Sequence, residues 1–234
     1  MTRRNFALAT LPFLAGTGCM IETDGGPTLT STKEVEAGKI EALQAEVRIG
    51  VGELRIAGGA SKLLEASFRY PEKQGAPEVR YEAAGFRGRL TVESRDSKHN
   101  IKDGKSEWNL KLGSTVPTDL KLNLGVGESH VDLSRVPLHS LEIHIGVGEL
   151  ELNLQDKYDK DVNVTVRGGV GEATIRLPKD FGVIADAKGG IGSIDVKGLE
   201  QRDGRYVNDA YKEGKPALRL DVRGGVGSIN LIAD

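Results

Sequence analysis

Leu120-Lys121-Leu122-Asn123-Leu124-Gly125-Val126-Gly127-Glu128-Ser129-His130-Val131-Asp132-Leu133 decides the fold of this chain. Leu120, Leu122 and Leu124 alternate with Lys121 and Asn123, which is the period of a strand with one buried face. Gly125 and Gly127 then bracket a single valine, and a second alternating stretch follows. Glycine there permits positive φ or close approach of a neighbouring backbone, so the segment reads as strand, tight turn, strand. Val126, held between the glycines, is expected to point inward.

The same unit recurs along the chain. Ala45 to Ile56 carries Gly50 and Gly52, Leu141 to Leu154 carries Gly146 and Gly148, and Val164 to Leu177 carries Gly169 and Gly171. Ala185 to Val196 carries Gly190 and Gly192, and Leu220 to Leu231 carries Gly225 and Gly227. From Gly125 the first glycines are spaced by 21, 23 and 21 residues, reaching Gly190. At about 3.3 Å per residue such a period traces roughly 70 Å, the path of one coil rather than one strand. A coil cannot bury its apolar edge alone, so coils must stack, each covered Val, Leu or Ile contributing about 2 kcal/mol. The expected fold is all-β: a single-domain β-solenoid, a β-helix-like stack of short strands with Gly-Val-Gly turns.

Composition agrees with that expectation. The 234 residues include 31 glycines, 5% aromatics and 28% charged residues, so the core must be aliphatic and the chain rich in turns. The formal net charge is -2, and without Arg3 and Arg4 it is -4, with 30 basic against 34 acidic residues; nucleic acid is not an expected partner.

Residues 1–18 read as an export signal. Arg3 and Arg4 precede a short apolar stretch from Phe6 to Leu14, and Ala15-Gly16-Thr17-Gly18 leads into Cys19. The start resembles a twin-arginine signal and the end resembles a bacterial lipoprotein cleavage site, departing from it at Gly16. That resemblance implies a lipid on Cys19, membrane attachment through it, and a place in the cell envelope facing the periplasm or the exterior. Ordinary secretory cleavage nearby is the alternative. Cys19 is the one cysteine, which excludes an intramolecular disulfide and a cysteine-based zinc site. Residues 19–34 are polar and read as a lipid-anchored tether; the solenoid follows over 35–234.

Within it, 35–119 reads as irregular early coils and 120–234 as the regular repeats. Leu63 to Tyr70, Glu78 to Glu82, Arg89 to Glu93 and Trp108 to Leu112 are expected strands, and Ser94 to Lys105, with His99 and Asp103, an exposed loop. Gly198 to Pro216, which breaks the last spacing, is expected to cover an edge of the solenoid.

The chain resembles the toast-rack family, whose extracytoplasmic domain is related to LiaF-like envelope-stress proteins and to adhesin-type β-solenoids. The resemblance rests on Gly50-Val51-Gly52-Glu53-Leu54-Arg55-Ile56-Ala57-Gly58-Gly59-Ala60, Trp108 to Pro117, the Gly-Val-Gly-Glu units at Gly125 and Gly146, Leu177-Pro178-Lys179-Asp180-Phe181-Gly182-Val183, and Tyr206-Val207-Asn208. It spans essentially everything after residue 34. Envelope-stress members commonly carry transmembrane helices, which this chain lacks, so control of a membrane kinase does not transfer. The family supplies no catalytic residues.

No catalytic, cofactor-binding or metal-binding constellation stands out, and no cofactor is implied. A dinucleotide fingerprint needs a third glycine and a helix, and both are missing. Gly189-Gly190-Ile191-Gly192 resembles a calcium β-roll, but Ile194 stands where aspartate is required. Glu53, Glu128, Glu149 and Glu172 share one turn position; they are expected to fan into water, the alternative being a weak calcium or cationic-polymer site. His130, His139 and His144 fall at unrelated repeat positions, so convergence on a metal is not expected.

The expected function is that of a non-enzymatic bacterial cell-envelope lipoprotein whose solenoid binds or scaffolds an envelope protein or cell-wall partner, within a stress response in one version. An adhesin or glycan-binding surface protein is the alternative, against which the scarcity of aromatic platforms counts. A polysaccharide-acting β-helix enzyme would need paired carboxylates on one groove wall.

Overall fold

The computed structural model describes residues 21–23, 26–95 and 105–234. The export signal 1–18, Cys19, His99 and Asp103 lie outside the described residues. In chain order the strands are β1 Ile21–Thr23, β2 Gly26–Val35, β3 Ala42–Ala60, β4 Leu64–Pro71, β5 Glu78–Ala84, β6 Arg87–Glu93, β7 Ser106–Gly113 and β8 Thr118–Asp132. They continue as β9 Leu138–Asn153, β10 Val162–Leu177, β11 Val183–Lys188, β12 Ile191–Lys197, β13 Glu200–Arg202, β14 Arg205–Val207, β15 Leu218–Arg223 and β16 Val226–Ala233.

Four long strands, β3, β8, β9 and β10, are each bent at their glycine pair into two arms. The bend is legible in the burial pattern. In β8 the first arm buries Leu120, Leu122 and Leu124, and the second buries Ser129 and Val131, so the inward parity changes across Gly125 to Glu128. Both arms therefore face a common interior. Later coils divide the same path between two strands, β15 with β16 and β11 with β12. All coil-to-coil pairings are parallel and in register: Gly52 stands beside Gly127, Gly127 beside Gly148, Gly148 beside Gly171, Gly171 beside Gly227, and Gly227 beside Gly192. The glycine corners form one line, and the β-solenoid expected from the repeat is the fold.

The spatial order of the coils differs from the chain order at one point. The unit at Gly225 lies between those at Gly169 and Gly190, because β10 pairs with β15 and β16, and these in turn pair with β11 and β12. Side-chain size accounts for the arrangement. Leu220 and Val222 stand opposite Ala185 and Ala187, so the coil with smaller inward residues takes the end of the stack, where less core needs filling.

At the other end, the 74 residues between Gly50 and Gly125 lack the Gly-Val-Gly signature. β6 runs parallel to the first arm of β3, and β7 runs parallel to the second. Antiparallel β5 covers β6, while antiparallel β4 covers β7 and β2 covers β4. The tether expected over 19–34 is thus corrected: Thr28 to Val35 pairs residue for residue with Leu64 to Pro71. Leu29 and Val35 pack against the core, which a purely polar linker would not do. Phe68 and Trp108 meet edge to face in the same end, ring centroids 5.4 Å apart, and are the largest buried side chains. Residues 198–216 supply the cover expected of them, for β14 pairs antiparallel with β11 and β13 with β14.

Candidate functional site

The glycine corner is the feature repeated in every regular coil, and its outer surface carries three parallel rows. The middle row is apolar: Val51, Val126, Val147, Val170, Val226 and Ile191 stand side by side. Sequence reasoning placed these residues inside, and the structure places them outside. Val126, Val147, Val170 and Val226 are 41%, 47%, 49% and 46% exposed, and Ile191 is 73% exposed. The parity change explains the correction: the residues bracketing the corner, Leu124 and Ser129 in β8, take the inward positions and leave Val126 on the convex side. Exposed valines are unremarkable singly, but here four stand in one line with the exposed Ile191.

Before the corner runs a row of Arg48, Asn123, His144, Arg167, Arg223 and Lys188. It is neutralised by the row two residues earlier, which includes Glu46, Glu142, Asp221 and Asp186. Arg48 bonds Glu46 at 2.6 Å and Glu93 at 2.9 Å, Arg167 bonds Asp221 at 2.8 Å, and Arg223 bonds Asp186 at 3.0 Å. Lys121 and His144 both reach Glu142, at 3.0 and 2.5 Å. Beside these side chains the bare glycines 50, 125, 146 and 169 floor an open groove of about 700 Å³.

The hydrogen bond from Arg167 holds the Asp221 carboxyl below its ordinary value, and that from Arg223 does the same for Asp186. Glu142 is lowered first by His144 and then by Lys121. A carboxylate lowered in the folded state adds stability above its unfolded pKa of about 4, and that stability is lost as pH falls through the folded value. The Arg167→Gln/Arg223→Gln double variant is therefore expected to show a flatter melting temperature between about pH 2 and 5 than the parent. Equal slopes in the two melting series would contradict this origin.

After the corner stand Glu53, Glu128, Glu149 and Glu172, aligned as the repeat implied and continued by Ser228 and Ser193. Glu128, Glu149 and Glu172 are exposed; Glu53 is half-buried and paired with Arg55. Among the described residues no group of three or more His, Cys, Asp and Glu is placed to hold a metal ion. The histidines separate as their repeat positions required. His130 bonds Glu151 at 2.9 Å, His139 bonds Asp119 at 2.7 Å, and His144 bonds Glu142. Ser140 also donates to Asp119, which brings Ser, His and Asp together with the carboxylate in the middle. The imidazole thus makes no contact with the hydroxyl, and the arrangement lacks the nucleophile-to-base bond that acyl transfer requires.

A model described as the N-terminal domain of toast_rack matches residues 24–176, more than half of the sequence. The chain belongs to the toast-rack family. Among solved structures, a candidate cell adhesion protein from Clostridium sporogenes ATCC 15579 is 33% identical, with a TM-score of 0.83 over 88% of this chain and 99% of that one. A candidate adhesin from Bacteroides fragilis NCTC 9343 is 14% identical over 87% of this chain and 96% of its own, at a TM-score of 0.32, too low to bear on the argument. No curated protein matches the chain. The toast-rack match covers the bent strands β3, β8 and β9 and nearly all of β10, so the corners at Gly50, Gly125, Gly146 and Gly169 lie within the matched domain, and those at Gly190 and Gly225 lie beyond it. Among the described residues of this toast-rack protein no helix is long and apolar enough to cross a membrane.

Proposed function

We propose that this chain is an exported, non-enzymatic protein of the bacterial cell envelope, and that it binds or scaffolds a macromolecular partner along the glycine corner. The exposed apolar ridge from Val126 to Ile191 carries this reading. It is repeated at each regular coil and runs beside the exposed Glu128, Glu149 and Glu172, which are the attributes of an extended recognition surface. The relative from Clostridium sporogenes, a candidate cell adhesion protein, supports an adhesive role over one in stress signalling. Lipid on Cys19 would hold the rod at the membrane, facing the periplasm or the exterior, with the corner free for an envelope protein or cell-wall partner.

The test is binding of the purified chain to washed envelopes of the producing bacterium. The Val147→Glu/Val170→Glu double variant is expected to bind at least about tenfold more weakly, as loss of a central apolar contact does in other interfaces. Its melting temperature should change by no more than about 2 °C, because both side chains face water. Undiminished binding would remove the ridge from the mechanism. Intact-mass analysis of the membrane fraction reads the lipid on Cys19 separately.

A further inference from the structure

Each regular coil brings two core-side positions to its corner, the last of the first arm and the first of the second. They are Ile49 and Leu54 in β3, Leu124 and Ser129 in β8, and Ile145 and Leu150 in β9, aligned from coil to coil by the parallel register. In the other three coils the first-arm position is glycine. Gly168, Gly224 and Gly189 each follow directly on the aligned residues Arg167, Arg223 and Lys188. Two of these coils compensate from the second arm, where Ile229 and Ile194 stand side by side. A methyl group on Gly224 would lie 3.1 Å from Ile229 Cδ1, and one on Gly189 would lie 3.8 Å from Ile194 Cγ1, so isoleucine occupies the room that glycine leaves.

β10 does not compensate. Its second-arm residue is Ala173, between Leu150 of one neighbouring coil and Ile229 of the other. A methyl group on Gly168 would meet nothing nearer than the Arg223 carbonyl oxygen, 3.9 Å away. The two small residues leave a cleft of about 40 Å³, lined by Ile145, Val166, Ala173, Val222 and Ile229 and reaching Val170, Val226 and Glu172. Ile145 and Ala173 are half-buried, so water reaches it. A gap of this kind forfeits packing that five coils of the same repeat retain, and such departures concentrate at functional sites. An engineered cavity of about 150 Å³ takes a benzene ring, so a cleft this small suits the end of one aliphatic side chain and excludes an aromatic or sugar ring. Glu128, Glu149 and Glu172 stand in consecutive coils beside it, exposed, about 4.8 Å apart per coil. Among the described residues no cation pairs with them; Glu172 accepts only from the Asn230 amide.

We propose that this cleft is the anchoring pocket of the corner, and that it takes a leucine or isoleucine side chain from an extended segment of an envelope protein in which lysine or arginine flanks that residue. The proposal rests on the reading that the ridge binds a macromolecular partner, and it supplies that partner's chemistry. The aliphatic side chain completes the corner of β10 as Ile229 and Ile194 complete their own, and the flanking cations meet the unpaired carboxylates.

Binding of the full chain to washed envelopes of the producing bacterium tests it. Ala173→Ile and Gly168→Ile fill the cleft from within, with the side chain that other coils carry at the same position. Each is expected to hold or raise the melting temperature and to weaken binding at least about tenfold. The Glu149→Gln/Glu172→Gln variant is expected to bind more weakly than the parent and to lose part of its sensitivity to added salt. Protease treatment of the envelopes is expected to abolish binding. If Val147→Glu/Val170→Glu loses binding while both isoleucine variants bind like the parent, the pocket is overturned and the ridge stands. A parent that does not bind at all removes the ridge as well. A lower melting temperature in both isoleucine variants would show that the cleft is not vacant. Binding that survives protease, or that ignores the loss of both carboxylates, would overturn the basic protein segment as its occupant.

Discussion

Gly148→Ala is expected to destabilise the rod by about 3 to 5 kcal/mol, and so to lower its melting temperature by roughly 10 °C. Two effects add. Gly148 has φ 148°, a conformation that L side chains rarely adopt, and strain of this kind costs about 1 to 3 kcal/mol. A methyl group there would also lie 1.8 Å from the carbonyl oxygen of Gly127 and 2.9 Å from its carbonyl carbon. Both are backbone atoms of the preceding coil, so no side chain can swing aside, and relief requires parting two strands hydrogen-bonded over their whole length. Gly85→Ala separates the two effects. Gly85 also has positive φ, 61°, but nothing lies within 4 Å of the added carbon, so about 1 kcal/mol is expected there. Thermal unfolding of the two variants beside the parent decides the matter; equal shifts would mean that close stacking of the corners contributes little.

The same contact explains why so much of the fold is visible in the sequence. A coil boundary that tolerates no side chain must be written as glycine in every regular coil, and it must recur at the coil's own period. Gly125, Gly146, Gly169 and Gly190 therefore announce both the turn and the stacking. The alternation in Leu120 to Leu124 gives the buried face because each arm is an ordinary half-buried strand. What the pattern does not carry is parity through the corner, and the outward direction of Val126, Val147 and Val170 was misjudged for that reason. The order of the last two coils is also hidden, since in-register parallel pairing accepts either neighbour. Ala185 and Ala187 opposite Leu220 and Val222 hold the clue, in side-chain volume and not in hydrophobic period. Thr28 to Glu34 reads as part of a tether because its exposed positions are Thr, Lys and Glu; an edge strand with one face in water looks the same in composition as a linker. The rows of Arg48, Arg167 and Arg223 become a unit only when the register is known, since those residues are far apart in the chain.

Asn208 is the residue whose importance the repeat pattern conceals most, and its replacement is expected to rival that of Gly148. It is 4% exposed and lies between the end strands and the turn before β11. Its side-chain oxygen accepts the Val183 N–H at 2.9 Å, and its amide nitrogen donates to the carbonyls of Phe181, Pro178 and Lys179 at 2.8, 3.1 and 3.2 Å. One amide group thus serves a backbone turn that makes no ladder of its own. Asn208→Leu, branched at the same carbon though larger, leaves a donor and up to three acceptors buried without a partner, at about 1 to 3 kcal/mol for each that water cannot reach. A net loss of about 3 to 5 kcal/mol is expected, seen as a lower melting temperature and faster amide exchange over residues 178–216. Asn208→Asp adds a sign that a mere packing defect does not have. An ionised carboxylate would face three carbonyl oxygens, which raises its folded-state pKa above the unfolded value of about 4. A raised value favours the protonated form in the fold, so the deficit relative to Asn208 is fullest at neutral pH and shrinks as pH falls through the raised value toward 4. Melts of Asn208→Asp and Asn208→Leu from about pH 7 to 4 should converge on the parent for the first variant only. A deficit that stays constant with pH in both variants would show that shape, and not the donated hydrogen bonds, is what Asn208 supplies.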